Sequence, residues 1–286
     1  VRIANYHTNI VRMERNGEIL LDLPVEADDE SGLTDRTLLS MADIYDFAQT
    51  VDIADVKELL DRQIQCNMAI SQEGLTHSYG ANIGQVIRAS SPTGDPIAKA
   101  KSAAAAGSDA RMGGCEMPVI INSGSGNQGM TASVPVIVYG RETGAGEEKI
   151  YRALVLSNLI TIHQKTRIGR LSAYCGAVSA GAAAGAGIAY LDGGGYEEII
   201  HTVVNALAIV SGMICDGAKA SCAGKIAAAI DAGVLGYRMY QNGQQFYGGD
   251  GILSHGVEKT LDNVGRLGKI GMRSTDKEIL QIMLQT

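Results

Sequence analysis

The residues of this 286-residue chain whose types and spacing can do chemistry are the loop NSGSGNQG, Asn122 to Gly129, and five cysteines: Cys66, Cys115, Cys175, Cys215 and Cys222. The loop sets Ser123, Ser125, Asn127 and Gln128 among Gly124, Gly126 and Gly129. Backbone amides in such a turn can form a nest, and the side chains add donors, so a carboxylate is a natural guest. A structural turn rich in Gly and Asn is the alternative. The same letters spell G-x-G-x-x-G, the dinucleotide turn, which needs a strand before it and a helix after it. Pro135 and the β-branched Val136-Ile137-Val138 follow closely, and Pro lacks an amide donor and clashes with the preceding turn. No helix is expected to develop there, and the dinucleotide reading is rejected.

On spacing alone, Cys175, Cys215 and Cys222 read as small buried hydrophobes, and metal ligation is the reading that carries chemistry. Seven residues of unbroken helix rise by about 10.5 Å, so Cys215 and Cys222 serve one site only if the chain bends between them. Gly217 allows that bend. Two histidines are candidate bases or substrate contacts, His7 in HTNI and His163 in TIHQKTR, although a lone histidine on a helix is commonly structural. Asp109 and Arg111 in SDARMGG read either as an internal ion pair or as a substrate clamp. Lys219 would lower the pKa of nearby thiols, or else lie solvated on the surface.

These groups must be positioned by the elements around them. The opening residues contain two β-rich runs joined by Asn16-Gly17, a strong hairpin signal. From Thr37 onward, three- and four-residue apolar spacing indicates helices. Gly107 is expected to end the Ala-rich helix that begins near Ile97. The fold class is α+β, predominantly helical: a hairpin-containing α/β segment over 1–106, then a mainly helical catalytic domain over 107–286. The uncharged stretch from Leu171 to Leu191 has the length of a membrane span. Its bulk is Ala and Gly, so a tightly packed internal helix is expected and no membrane partner.

The net charge of −7, with no cluster of Lys and Arg, argues against nucleic acid as a partner. An odd number of cysteines in a chain of this length argues against a secreted disulfide scaffold. Free thiols in a cytoplasmic protein are expected. The first residues, VRIANYHTNI, read as the middle of a strand, so the chain is expected to be the larger, C-terminal part of a longer protein.

Five motifs in order, HTNIV, SDARMGG, NSGSGNQG, RLSAYCG and SGMICDGAKASCAGK, resemble the alpha-chain type of iron–sulfur L-serine dehydratase, and more nearly its relatives the L-cysteine desulfidases. The resemblance runs from His7 to the final helix. It implies an all-α serine-dehydratase-alpha-like domain and a [4Fe–4S] cluster held by Cys175 and Cys215, with Cys222 a weaker ligand. It implies a lyase that eliminates sulfide or water from a small amino acid, giving pyruvate and ammonia, with a homodimer left open. The Gly-Cys-Thr-Glu-Pro motif of the desulfidases is absent, so the isolated chain is expected to be inactive and largely free of iron. Cys66 and Cys115 match no ligand position. Two other readings stay open: a pyridoxal-phosphate eliminase using Lys219 or Lys225 as Schiff base, and a non-catalytic protein that binds a small anion.

Overall fold

The structure is a computed structural model that describes residues 1–5, 8–25, 34–169 and 171–285. It divides into two compact units, Val1–Leu38 and Leu39–Thr286. The first is a three-stranded antiparallel sheet in the order β1 (Arg2–Ile3), β2 (Ile10–Arg15) and β3 (Glu18–Asp22). Asn16 and Gly17 connect β2 to β3 with φ of 52° and 86°, as the two-residue turn of a tight hairpin requires. Arg15 pairs with Glu18, and Met13 with Leu21.

The second unit is helical: α1 (Met41–Thr50), α2 (Ile53–Thr76), α3 (Ile83–Ser90), α4 (Pro96–Met112), α5 (Gly126–Glu142) and α6 (Glu147–Ile168) come first. Then follow α7 (Gly176–Leu191), α8 (Tyr196–Val210), α9 (Cys222–Gln241), α10 (Val257–Arg266), a π-helical turn at Leu267–Gly271, and α11 (Arg273–Leu284). Helix starts are written locally. Ser40, Asp52 and Asp95 each accept an amide of the following turn, and Pro96 occupies the first turn of α4, where its missing amide costs nothing. The fold is thus α+β and predominantly helical, with 64% of the described residues in helix. Residue 107 falls inside α4.

The core is built around α7, in which every residue from Ala177 to Leu191 is buried. Helices α5, α6, α8 and α9 pack against it. Its glycines let neighbouring backbones touch. A Cβ on Gly181 would lie 2.5 Å from the carbonyl carbon of Ala229, and one on Gly185 would lie 2.6 Å from that of Gly233. Residue numbers rise together along this contact, so α7 and α9 run parallel. Helix α5 also runs parallel to α7, because Gln128 packs on Gly176 and Val136 on Gly187. Helix α4 runs antiparallel to α5, since Gly107 meets Met130 and Arg111 meets Gly126. Helix α6 runs antiparallel to α7, with Gln164 bonded to Ser179 and Ser157 beside Gly187. One end of the bundle therefore gathers the N-termini of α5, α7 and α9 with the C-termini of α4 and α6.

Two expectations are overturned. A helix does develop through Pro135, which lies inside α5. The interior-proline penalty of about 3 kcal/mol is offset by burial of Val134, Val136 and Ile137, all 0% exposed, each contributing about 1.5–3 kcal/mol. The dinucleotide reading still fails, because residues 118–121 before the loop form no strand. Gly107 does not end α4 but lies buried within it, where a Cβ would meet the Met130 sulfur at 2.8 Å. The glycine serves close packing there. No described helix is long and apolar enough to cross a membrane.

The α7–α9 contact makes a direct prediction. A Cβ at residue 233 would lie 2.4 Å from the Gly181 carbonyl oxygen, so Gly233→Val should cost at least about 1–3 kcal/mol and lower the melting temperature. Gly224→Ala, on the same helix with nothing within 4 Å of the new Cβ, should stay within about 1 kcal/mol of the parent. Equal thermal denaturation curves for the two variants would refute the backbone contact.

Candidate functional site

Two connections meet at the end of the bundle where α5, α7 and α9 begin. The segment before α7 pairs with the segment after α8 through an antiparallel bridge between Tyr174 and Ile214. The Cys175 amide donates to the Met213 carbonyl at 3.2 Å, and the Cys215 amide donates to the Ala173 carbonyl at 2.6 Å. Two thiols distant in sequence thus lie on adjacent backbone segments. Gly217, at φ +90°, turns the chain in a way that favours glycine, and α9 then opens with Cys222. The bend expected between Cys215 and Cys222 is present. Cys222 Sγ donates to the Gly217 carbonyl at 3.6 Å.

Cys175 is buried and forms the N-cap of α7. Burial raises its pKa, against which act the Ala177 amide and the Lys225 ammonium, while the Cys215 and Cys222 thiols raise it further. These same effects put the three cysteines within electrostatic reach. All five cysteines are free thiols. Among the described residues, no three His, Cys, Asp or Glu side chains are arranged to hold a single metal ion.

Three cations surround the thiols. Lys165, in the last turn of α6, is buried; burial lowers its pKa, and the Cys215 and Cys175 charges oppose that. Lys225 of α9 is ion-paired with Asp216. Burial works against its charge, but the Asp216 carboxylate prevails and its pKa is raised. Arg111, in the last turn of α4, has its pKa lowered by burial, opposed by Cys222. The N-termini of α5, α7 and α9 add the positive ends of three helix dipoles. The arrangement favours anions, whether thiolates or a carboxylate.

The glycine loop divides into two parts. Asn122 to Ser125 is a tight turn closed by reciprocal backbone bonds of 3.1 and 3.0 Å, with Ser123 and Gly124 at φ 49° and 81°. Ser123 Oγ donates to Asn122 Oδ1 at 2.8 Å, and Asn122 is anchored on Asn158. Ser125 caps α5. The second part reaches the cysteines. Arg111 donates to Asn127 Oδ1 at 3.4 Å and lies across Gly126, where a Cβ would be 2.4 Å from its Nε. The Gln128 side chain lies on Gly176, next to Cys175; a Cβ there would be 2.5 Å from the amide carbon.

Other sequence candidates go elsewhere. Asp109 makes no ion pair with Arg111; its Oδ2 accepts the Gly84 amide at 2.9 Å. Helix α3 has no side-chain cap of its own, so Asp109 supplies one from α4. His163 is buried against Glu258 of α10, Nε2 to Oε2 at 2.9 Å, and also meets Arg167. Glu258 in turn accepts the Met41 amide at 2.7 Å, so this histidine belongs to the junction of α1, α6 and α10. Lys219 is exposed in the connection before α9. His7 lies outside the described residues. Lys165 and Asp216 were not anticipated from sequence. The signal for Lys165 was its place on the buried stripe Ser157, Thr161 and Ile168 of α6.

The family model described as serine dehydratase alpha chain matches residues 8–281. A UPF0597 protein of Desulfitobacterium hafniense is 63% identical over 284 residues, covering 99% of this chain and 66% of that protein. UPF0597 proteins of Lachnoclostridium phytofermentans and Treponema denticola are 52% and 49% identical, each over 99% of this chain and 68% and 67% of their own lengths. The chain spans about two thirds of the length of these curated relatives. No solved structure matches it.

The burial of Asp109 at this cap has a pH signature. Burial raises its pKa above the ordinary 3.8, with the Gly84 and Ile83 amides opposing. A carboxyl whose folded pKa is raised contributes stability that is fully present below 3.8 and lost as pH rises through the folded value. Asp109→Asn keeps an acceptor for the α3 amide, so it should remove this pH dependence while leaving neutral-pH stability within about 1 kcal/mol. Asp109→Ala should cost about 0.5–2 kcal/mol. Urea denaturation from pH 3.5 to 7 checks both, and an unchanged slope in Asp109→Asn would contradict the assignment.

Proposed function

Since the chain belongs to the serine dehydratase alpha-chain family, we propose that it is the core of an iron–sulfur lyase. The reaction is β-elimination of sulfide or water from a small amino acid, L-cysteine favoured over L-serine, giving pyruvate and ammonia. The observation that carries this reading is that Cys175 and Cys215 lie on bridged backbone segments, with Cys222 opening α9 after the Gly217 turn, at converging helix N-termini.

The donor set suits a [4Fe–4S] cluster. Cluster ligands bind different iron atoms, so three thiols need not converge on one point as for a single ion. The neighbouring cations and helix N-termini offset the negative charge of thiolate ligands. Cys175, Cys215 and Cys222 would hold the group, which when bound supplies an iron with an open position as Lewis acid towards the leaving group. The preference for cysteine over serine rests on the resemblance to the desulfidases.

The chain's own residues supply the binding. Arg111 and the free first-turn amides of α5, at Gly126 and Asn127, suit the substrate carboxylate. Gly126 is what lets the guanidinium approach the helix start, because any side chain there meets Arg111 Nε. Gln128 and Gly176 fix the spacing between this anion site and Cys175. Lys165 places its amino group next to the two thiols on a buried helix, where burial lowers its pKa, and Lys225 is steadied by Asp216.

The test is iron and acid-labile sulfide content with pyruvate formation, on the native protein prepared and reconstituted anaerobically. Cys175→Ala and Cys215→Ala should lose iron, sulfide and pyruvate formation together, whereas Cys66→Ala should keep all three. Pyruvate should form with higher kcat/KM from L-cysteine than from L-serine. Iron-free protein making pyruvate at the same rate, or borohydride trapping a lysine adduct, would overturn the proposal in favour of a pyridoxal-phosphate eliminase.

A further inference from the structure

Buried polar atoms in folded proteins are nearly always hydrogen-bonded, and each exception asks for an explanation. Gln128 Oε1 is such an exception: the residue is 7% exposed and this oxygen has no partner. Its amide rests on Gly176, beside Cys175, in the first turn of α5. The same turn begins with the Gly126 and Asn127 amides, over which Arg111 lies.

Apart from the thiols, Asp109 and Asp216, the ionisable groups at this end of the bundle are basic. Arg111, Lys165 and Lys225 are basic side chains at this end, and Asp216 is taken by Lys225. An incoming carboxylate finds Arg111 and two helix amides. An incoming ammonium would find mainly repulsion, unless a neutral acceptor is held ready. Gln128 Oε1 is that acceptor, in the same first turn of α5 as the anion site. Four other buried atoms nearby are also unpartnered. Gln164 Oε1 and Ser179 Oγ lie between α6 and α7, a turn further along α7 from Cys175. Asp109 is turned to the start of α3, and Tyr174 Oη belongs to the bridge before α7.

We propose that this end of the bundle reads both charges of a zwitterionic α-amino acid, with the carboxylate on Arg111 and the first amides of α5 and the ammonium on Gln128 Oε1. The inference rests on the amino-acid reading above and divides its binding between named groups. It makes Gln128 the residue that separates an amino acid from a simple carboxylic acid. Ser123 and Gly124, tied up in their own turn, take no part.

Binding can be measured without turnover on the cluster-free chain, using L-alanine, which has no β leaving group, and propionate, which lacks only the ammonium. In titration calorimetry, wild type should bind L-alanine about 10-fold or more tighter than propionate. Gln128→Met, of similar shape, should bring L-alanine down to the affinity of propionate and leave propionate unchanged. Gln128→Glu keeps an acceptor at this position and should retain L-alanine binding, which guards against a variant that merely fails to fold. Wild type binding the two probes equally, or Gln128→Met binding L-alanine as wild type does, overturns the inference. Pyruvate formation by cluster-loaded wild type separates the two levels. Turnover with unaltered L-alanine binding in Gln128→Met sinks this inference alone, whereas Gln128-dependent L-alanine binding without turnover sinks the lyase reading alone.

Discussion

Direct backbone contact between α7 and α9 is the constraint on which the rest of the molecule depends. Gly181 and Gly185 of α7 face Ala229 and Gly233 of α9 with no room for a Cβ. Because the helices run parallel in this contact, the same offset carried back to their starts sets Cys175 level with the beginning of α9, where Cys222 stands. Larger residues would hold the helices at the usual 8–10 Å separation and spread their N-termini apart. The many small residues of this chain are therefore a means of bringing helix ends together. The bridge of Tyr174 to Ile214 then sets Cys215 into the same space.

Such an end carries a cost, which the surrounding residues offset. Three helix N-termini concentrate positive partial charge, and buried Lys165 adds more in a place where burial disfavours its own protonation. The thiols and Asp216 balance part of that charge, and the buried Cys175 thiol is itself held towards its neutral form. The result is a site rich in basic groups and helix N-termini, suited to take up anionic ligands, with the uncharged Gln128 Oε1 unpartnered beside it.

Much of the scaffold was legible in the sequence, because local rules governed it. Asn16-Gly17 announced its hairpin through the dihedrals that only such residues adopt cheaply, and Ser40, Asp52 and Asp95 announced helix starts. Pro135 reads locally as a helix breaker, yet burial of its neighbours holds it inside α5. Gly107 misled because a glycine that makes room for Met130 looks like one that ends a helix. The pairing of Asp109 with Arg111 could have been excluded, since positions two apart on a helix do not face each other. The cysteines were different: their spacing alone favoured ordinary core packing, and only the resemblance singled them out. Lys165 escaped because a lysine on an amphipathic helix reads as surface, and nothing in a sequence marks the unpaired oxygen of Gln128.

Parallel packing of α7 and α9 brings Cys175 into one site with Cys215 and Cys222. The most direct measurement is reaction of the native, reduced protein with a short bifunctional thiol reagent, followed by peptide mapping by mass spectrometry. The account predicts bridged peptides joining Cys175 to Cys215 or Cys222, with Cys66 and Cys115 modified singly. Bridges from Cys175 to Cys66 or Cys115, or none among Cys175, Cys215 and Cys222, would contradict it.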